Sequence, residues 1–532
     1  MKTARLALLA AALFCTAVLG AACHRAASDG ATPALPAATA ADDDDGASAA
    51  AAAPDTDPLP SVEVTIQTTP AGNPLAVQLH YDADRPCVLS GIVWTDGELG
   101  VGRSLPALPS AASGDIWFTG LLADTTFEYR LFEGGDPNRV VNAGSFKTPR
   151  LPWWTPMPKA VADTAEAESG LWLGMTLNLV RQVLDAYPYV LYFGLVMIVD
   201  REGRPRYFHE VGSDPAHGQF LEGLSVLQNG DLAWSNRVNL MAAKPTGDEY
   251  VLFPVQLQPP YITPTHHVPY IYDDGDDRSA LVLFNRYEQM ASCGDVGAPD
   301  ERTIADGVAR IDSEGVETWR WLISEHLDAI PPDSEGLCGC ELNFWGPNTA
   351  DFSHANRVVP IPGQNALLLS LRNISRLIKI DGATGEVVWQ MGAGLDFQWV
   401  GDEAPTDRWF SWQHDPLWLP NNHVLMFDNG DCRFYGTDVP PYSRALELAV
   451  DEDAMTVQLV WEHHLPFSQA NGTVIRLANG NTIIHGGWDN WIVETSPDDR
   501  EIWTLQYPLI FQMPNVSSAQ PYPAMWDYSA AP

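Results

Sequence analysis

The sequence predicts an all-β chain, a six-bladed β-propeller preceded by a small β-sandwich. Three observations carry this. Beyond about residue 151 a unit recurs: a strand end, an acidic or glycine-bearing turn, then a strand with an aromatic residue. Ahead of these units lie hairpins made of a strand, a tight turn and an apolar strand. Before both, the chain from Val62 to about Pro149 breaks into short runs of period two separated by turns. Units that cannot bury both faces alone must stack on their neighbours, and repeats of several short strands do so as propeller blades.

The elements follow in chain order. "MKTARLALLAAALFCTAVLGAACHR" places Lys2 and Arg5 before an apolar stretch that runs to about Gly20. This is a secretory leader, too short to span a bilayer comfortably. It assigns residues 1–23 to a signal peptide and the protein to an exported compartment, periplasmic or cell-surface. Cys23 follows "LGAA", so lipidation there as an outer-membrane lipoprotein is one outcome. Gly20 occupies the place where the lipidation signal usually has Leu, which keeps ordinary cleavage nearby as the other. Residues 24–60, with "ADDDDGASAAAAAPDTDP", hold too little apolar surface to order themselves and read as a tether. Residues 61–149 form the sandwich. "VEVTIQTT", "CVLSGIVWTD" and "TTFEYRLFEG" alternate as half-buried antiparallel strands do. The stretch ending "GSFKTP" resembles a fibronectin type III domain in pattern and size.

Residues 150–532 hold the propeller. "IVDREGRPRYF", "RIDSEGVETWRW", "KIDGATGEVVWQM", "AVDEDAMTVQLVWEH" and "ETSPDDREIWTL" align, with a weaker copy in "TGDEYVLF". Their aromatic residues, Phe208, Phe253, Trp319, Trp389, Trp461 and Trp503, are expected to pack between neighbouring sheets and to carry no chemistry. The hairpins "LEGLSVLQNGDLAW", "HHVPYIYDDGDDRSALVLF", "HANRVVPIPGQNALLLSL", "QHDPLWLPNNHVLMF" and "NGTVIRLANGNTIIHGG" have the turn residues of tight hairpins. Aligning their turns superposes Glu222, His267, Asn356, His414 and Gly472. His354 lies two residues before Asn356 and points to the same side. Equivalent strand starts converge on a propeller axis, so three histidines from different blades are expected to meet there. Filling a core with imidazoles at equivalent positions explains this poorly, because each buried imidazole needs partners.

The net charge is −38, from 30 basic and 68 acidic residues, which argues against nucleic acid as a partner. It also requires a local cationic group for any anionic substrate. Five cysteines follow Cys23. Cys293, Cys338, Cys340 and Cys432 lie in polar loops and can pair, which leaves Cys87 as a buried thiol. The density is too low for a disulfide scaffold, and "CGC" at 338–340 has no second pair for zinc. The acidic run Asp273, Asp274, Asp276 and Asp277 reads as a solvated turn rather than a calcium loop. No dinucleotide or phosphate-binding loop is present, so neither an organic cofactor nor a metal is expected.

"FSHANRV", "LLLSLRNISRLIKID", "WQHDPLWLP", "FDNGD" and "YSRALELAVDEDAMTVQLVWEHH" in series resemble the bacterial arylsulfate sulfotransferases. The similarity spans roughly residues 150–510 and is strongest from Asp351 to Trp461. It implies a six-bladed propeller with an N-terminal sandwich. The implied activity is transfer of a sulfuryl group from an aryl sulfate to a phenol without a nucleotide donor. By the same resemblance His414 is the nucleophile, transiently sulfated in a ping-pong reaction. His354, Asn356 and Arg372 bind the sulfate. A histidine of the "HH" pair completes the set: His267, favoured by the turn alignment and suited to acid–base work, or His266 as a further substrate ligand. A hydroxyl-bearing ligand from the last blade falls on Ser468, Asn471 or Thr473. His463, His464 and His485 read as structural. Two rival readings stand beside this one: an exported propeller that binds a carbohydrate or protein partner, and an aryl sulfatase that uses water as acceptor.

Overall fold

The structure, a computed structural model, describes residues 58–522 apart from 69–71, 96–109, 165, 169–171, 183–189, 212–220, 274–277, 289–301, 328–340, 343–348, 402–408, 432, 434–439, 488–490 and 508–514. Cys23, the expected tether up to Asp57, the four loop cysteines and Asp274, Asp276 and Asp277 lie outside the described residues. The chain is all-β, with one four-residue helix, Ile323–His326, among the described residues.

Residues Val62–Lys147 form two three-stranded antiparallel sheets. Val62–Thr68, Val77–Cys87 and Ala111–Phe118 make one; Leu89–Trp94, Thr126–Glu133 and Val140–Lys147 make the other. Leu79, Tyr81, Ile116 and Phe118 of the first pack with Phe127, Tyr129, Leu131 and Phe146 of the second. These are alternate residues along their strands, so the period-two runs become one shared core. Cys87 is a free, buried thiol, and that burial raises its pKa. Asn73 ties the module to the rest of the chain: its Nδ2 donates to the Pro245 carbonyl at 3.0 Å.

Five sheets follow among the described residues; they divide into six mainly antiparallel strand groups, of which the third and fourth are joined into one ten-stranded sheet by a parallel pairing of Val268 with Arg357. The second runs from Glu222–Val226 to Glu249–Phe253 and the third from Thr263–Tyr272 to Glu317–Leu322. The fourth spans Ala355–Pro360 to Val387–Met391, the fifth His414–Leu419 to Thr456–Pro466, and the sixth Thr473–Arg476 to Glu501–Gln506. The first group joins Trp172–Gln182, Val190–Val199 and Pro205–Val211 to the C-terminal strand Asn515–Tyr522. In turn the early strand Lys159–Asp163 pairs along the outer edge of the sixth group. The two ends of this region are therefore each built into the other end's sheet. The first strands of successive groups touch in order, and Thr473–Arg476 touches Asn515–Tyr522, which touches Glu222–Val226.

Both faces of the central strands are buried, which explains why strands such as "GLVMIV" and "ALLLSL" are apolar throughout. Leu195, Met197 and Val199 pack toward the sixth group, whereas the alternating Val196 and Ile198 pack toward the second. Leu368 packs between groups four and five; its neighbours Leu367 and Leu369 pack between three and four. The recurring aromatics enter these inter-sheet cores. Phe208, Phe253, Trp389 and Trp503 are buried, while Trp319 and Trp461 are half-buried against them.

Candidate active site

The first strands of groups two to five share a local irregularity. Their ladders shift between Glu222 and Ser225, His266 and Tyr270, Ala355 and Arg357, and His414 and Leu417. A bulge of this kind re-aims the side chains around it. The residue after the last regular pair is left-handed at Gly223 (φ 70°), His267 (φ 56°) and Asp415 (φ 49°). In group six, whose ladder is regular, the left-handed residue is Gly472 (φ 111°), just before the first pair. Glycine adopts this conformation readily; other residues do so at a cost of about 1–2 kcal/mol. The ladder makes Glu222, His266, Ala355 and His414 equivalent, so the turn alignment placed His267 and Asn356 one residue out of register. Turn spacing cannot register a bulge that lies beyond the turn.

The bulges bring imidazoles from three groups together. The His267 ring centroid lies 5.3 Å from that of His354 and 5.5 Å from that of His414. The His414 Nδ1 lies 3.0 Å from the Gly472 carbonyl oxygen, which can only accept, so Nδ1 carries the hydrogen. Nε2 then holds the lone pair; it is buried and has no protein partner. Burial lowers the His414 pKa to about 4, against the opposing pull of Asp415 and Gly472 and with help from the charges of Arg372 and His354. His414 is therefore a neutral imidazole with an uncommitted nitrogen at neutral pH. His267 is held well below the usual imidazole range as well, by burial first and then by His266, His354, His414 and Arg237.

His354 Nδ1 donates to Asp351 Oδ2 at 2.7 Å, which fixes its tautomer. The buried Arg372 guanidinium sits 3.8 Å over the Trp412 ring, and its Nη1 donates to Asn373 Oδ1 at 2.9 Å. The Arg372 backbone N–H donates to the His354 carbonyl at 3.3 Å, and its charge contributes to the lowering of the His414 pKa. Asn356 is buried at the start of its strand. Its Nδ2 donates to the Gln413 carbonyl at 2.7 Å, anchoring the residue before His414, while its buried Oδ1 has no partner. His266 lies beside His267. Its Nδ1 faces His267 Nδ1 at 2.8 Å and its Nε2 lies 3.1 Å from Asp306 Oδ1, so both ring nitrogens face protein.

Of the last-group alternatives, the Ser468 hydroxyl donates to the Gly486 carbonyl, the Asn471 carbonyl accepts from Asn429 Nδ2, and buried Thr473 follows Gly472 directly. His463 pairs with Asp499 and His464 stacks on Tyr442, both away from the cluster. His485 differs from them. It is buried, neither ring nitrogen has a partner, and burial with the nearby His414 lowers its pKa to about 3.

Sequence reasoning assigned no role to several supporting residues. Glu222 accepts from the His267 backbone N–H at 2.6 Å and pairs with Arg237 at 2.5 Å. Burial opposes its ionisation, yet Arg237 holds its carboxyl below the usual range. Asp351 and Asp306 each sit behind a histidine. Glu222 stood in the turn alignment and could have been found there; the two aspartates lie in other strands. Among the described residues, no cluster of three or more His, Cys, Asp or Glu side chains could hold a metal ion.

Solved structures of low similarity resemble the chain. A periplasmic gluconolactonase of Pseudomonas aeruginosa is 11% identical, with 82% of this chain and 99% of that one covered and a TM-score of 0.31. The gluconolactonase XC5397 of Xanthomonas campestris is 12% identical over 66% and 95%, with a TM-score of 0.30. The Cps50 (Swd1) β-propeller domain of Myceliophteria thermophila is 11% identical over 59% and 93%, with a TM-score of 0.28. No curated protein matches the chain. The family model described as arylsulfotransferase (ASST) matches residues 187–506, more than half of the sequence and the whole histidine cluster. The chain belongs to the arylsulfotransferase family, a class of sulfotransferases acting on small aryl substrates.

Proposed function

We propose that the protein moves a sulfuryl group from an aryl sulfate to a phenol, without a nucleotide donor, through a sulfated His414. The observation that carries this reading is the neutral, buried His414, whose Nε2 lacks a protein partner beside Arg372 and two further imidazoles. Nε2 attacks sulfur and the S–O bond to the aryl group breaks; the aryl oxygen takes a proton and leaves as a phenol. The sulfated ring keeps its Nδ1 hydrogen, so the ring bears positive charge and the N–S bond stays labile. The acceptor phenol's oxygen then attacks sulfur, the N–S bond breaks, and the phenolic proton is released to a base. Splitting transfer in this way replaces one difficult step by two easier ones. Arg372 offers fixed donors to the sulfuryl oxygens, and His354 adds an oriented ring. The nearness of the His267 ring to His414 supports His267 as the group that exchanges the phenolic proton.

The six strand groups are read as blades of a closed propeller and the first two sheets as a fibronectin III-like module. The successive contacts of the first strands and the clasp of the two ends support the closure. The leader supports export, with Cys23 as the lipidation candidate. The decisive experiment incubates the protein with a chromogenic aryl sulfate, with and without an added phenol. Sulfated phenol should form, and a sulfuryl mass increment should appear on the peptide bearing His414. His414→Asn should remove both while the melting temperature holds; retained turnover in that variant would falsify the nucleophile assignment. Product release that ignores the added phenol would instead make water the acceptor.

A further inference from the structure

We propose that Asp306 and His266 act through His267 as a proton store, giving a proton to the departing phenol and recovering it from the incoming one. This rests on the sulfotransferase reading above. The geometry is a buried line: Asp306 Oδ1 lies 3.1 Å from His266 Nε2, and His266 Nδ1 lies 2.8 Å from His267 Nδ1. Behind it, Asp306 Oδ2 accepts from the Ser353 hydroxyl at 2.5 Å and from the Ala355 N–H at 2.6 Å. At the other end the His267 ring meets His354 and His414. Burial would raise the Asp306 carboxyl, but His266, Ser353 and Ala355 together hold it below its usual range, so it stays ionised. The groups around the pair are the Glu222 carboxylate, which Arg237 neutralises, together with His354 and His414. His267 is held neutral, so a proton shared by the two neighbouring rings has as its other site His266, which faces the Asp306 carboxylate.

One Nδ1···Nδ1 hydrogen bond serves both states. In the charged state His266 Nδ1–H donates to His267 Nδ1, and His267 Nε2–H, on the far side of the ring, points away from His266. When the aryl oxygen departs it takes the Nε2 proton, and the shared hydrogen moves from His266 to His267 Nδ1. His266 is then neutral, with its remaining hydrogen on Nε2 beside Asp306. The acceptor phenol later gives its proton to His267 Nε2, the shared hydrogen returns, and the store is recharged. No proton need come from water between the two half-reactions. Asp306 and His266 are positioning residues here, since neither touches substrate.

The test compares two donors, phenyl sulfate and 4-nitrophenyl sulfate, in the full-length protein and in Asp306→Asn and His266→Gln. Phenolate with a pKa of about 10 needs the proton; nitrophenolate leaves without it. Each variant should lose about a hundredfold in kcat/KM with phenyl sulfate and less than about tenfold with 4-nitrophenyl sulfate. Equal losses with both donors, or no loss with either, would overturn the relay. Two variants guard against one that fails to fold, and circular dichroism identifies that case. A wild-type protein that transfers sulfuryl from neither donor overturns the sulfotransferase reading itself, a result distinct from equal losses in an active enzyme.

Discussion

The first strands of the groups and the later, outer strands come from the same repeat, yet the first strands gather imidazoles around one another while the outer strands set most of theirs against carboxylates. In the outer strands Trp389 Nε1 donates to Glu452 at 2.5 Å and Trp503 Nε1 donates to the Arg201 carbonyl at 2.9 Å. His209, His423 and His463 each lie within 2.8 Å of a carboxylate. At the first strands the ladder is bulged and non-glycine residues adopt left-handed conformations, and the buried Nε2 of His414, like both ring nitrogens of His485 on an adjoining second strand, stands without a partner. An unmet buried polar atom costs about 1–3 kcal/mol, so a fold accumulates several in one place only where the rest of the structure supports them. On the function proposed above, the outer strands supply that support and the inner ends carry the chemistry.

Substitutions can break this division, and the largest effect is expected on the outer side. Trp389→Ala should destabilise the protein by about 3–5 kcal/mol in urea unfolding, because the ring fills the core between groups four and five. The fraction that remains folded should keep its turnover; a rate loss at full folding would bring Trp389 into the site. Arg372→Ala should act the other way round, lowering kcat about a hundredfold or more with a small change in melting temperature. If stability fell and kcat held, Arg372 would belong to the supporting set.

A finer test uses pH. Because the fold lowers His414 from 6.5 to about 4, the unfolded chain binds a proton that the folded chain refuses. Stability from this group is complete above about pH 6.5 and falls as pH drops towards 4, by an amount on the order of 3 kcal/mol. Unfolding of His414→Asn measured across that window should show a shallower pH dependence than the wild type; an unchanged slope would mean the ring is not buried as the neutral form. The smallest effect is expected at Val388, which is 52% exposed beside Trp389. Val388→Ser should shift stability by less than about 0.5 kcal/mol in the same unfolding assay. A larger shift would show that this outer face is covered.

Much of this division was legible in the residues. Two-sided apolar runs such as "GLVMIV", and aromatics at a constant place after an acidic turn, depend only on local pattern and on the need to bury both faces. His267, His354 and His414 were found together because each starts a hairpin of recognisable form. Asn356 and His266 were harder to read. Asn356 binds the Gln413 carbonyl and His266 faces Asp306, and no spacing along the chain reports partners in other strands. The one-residue error in register has the same origin, since a bulge changes which face a side chain takes without changing the composition around it. His485, read as structural, lies near His414 for a reason visible only across strands: Thr473, its ladder partner, follows the glycine whose carbonyl holds His414.

The sequence by itself determined the all-β class, the recurring hairpins, the aromatic packing positions and the presence of histidines near the strand starts. These follow from periodicity, because hydrophobic burial and strand geometry act on neighbours a few residues apart. Only the tertiary structure decided which nitrogen of His414 carries the hydrogen, which histidine of the pair faces inward, and which carboxylates stand behind them. Those properties depend on atoms brought within about 3 Å from distant strands, and at that range hydrogen bonding and charge decide the protonation state.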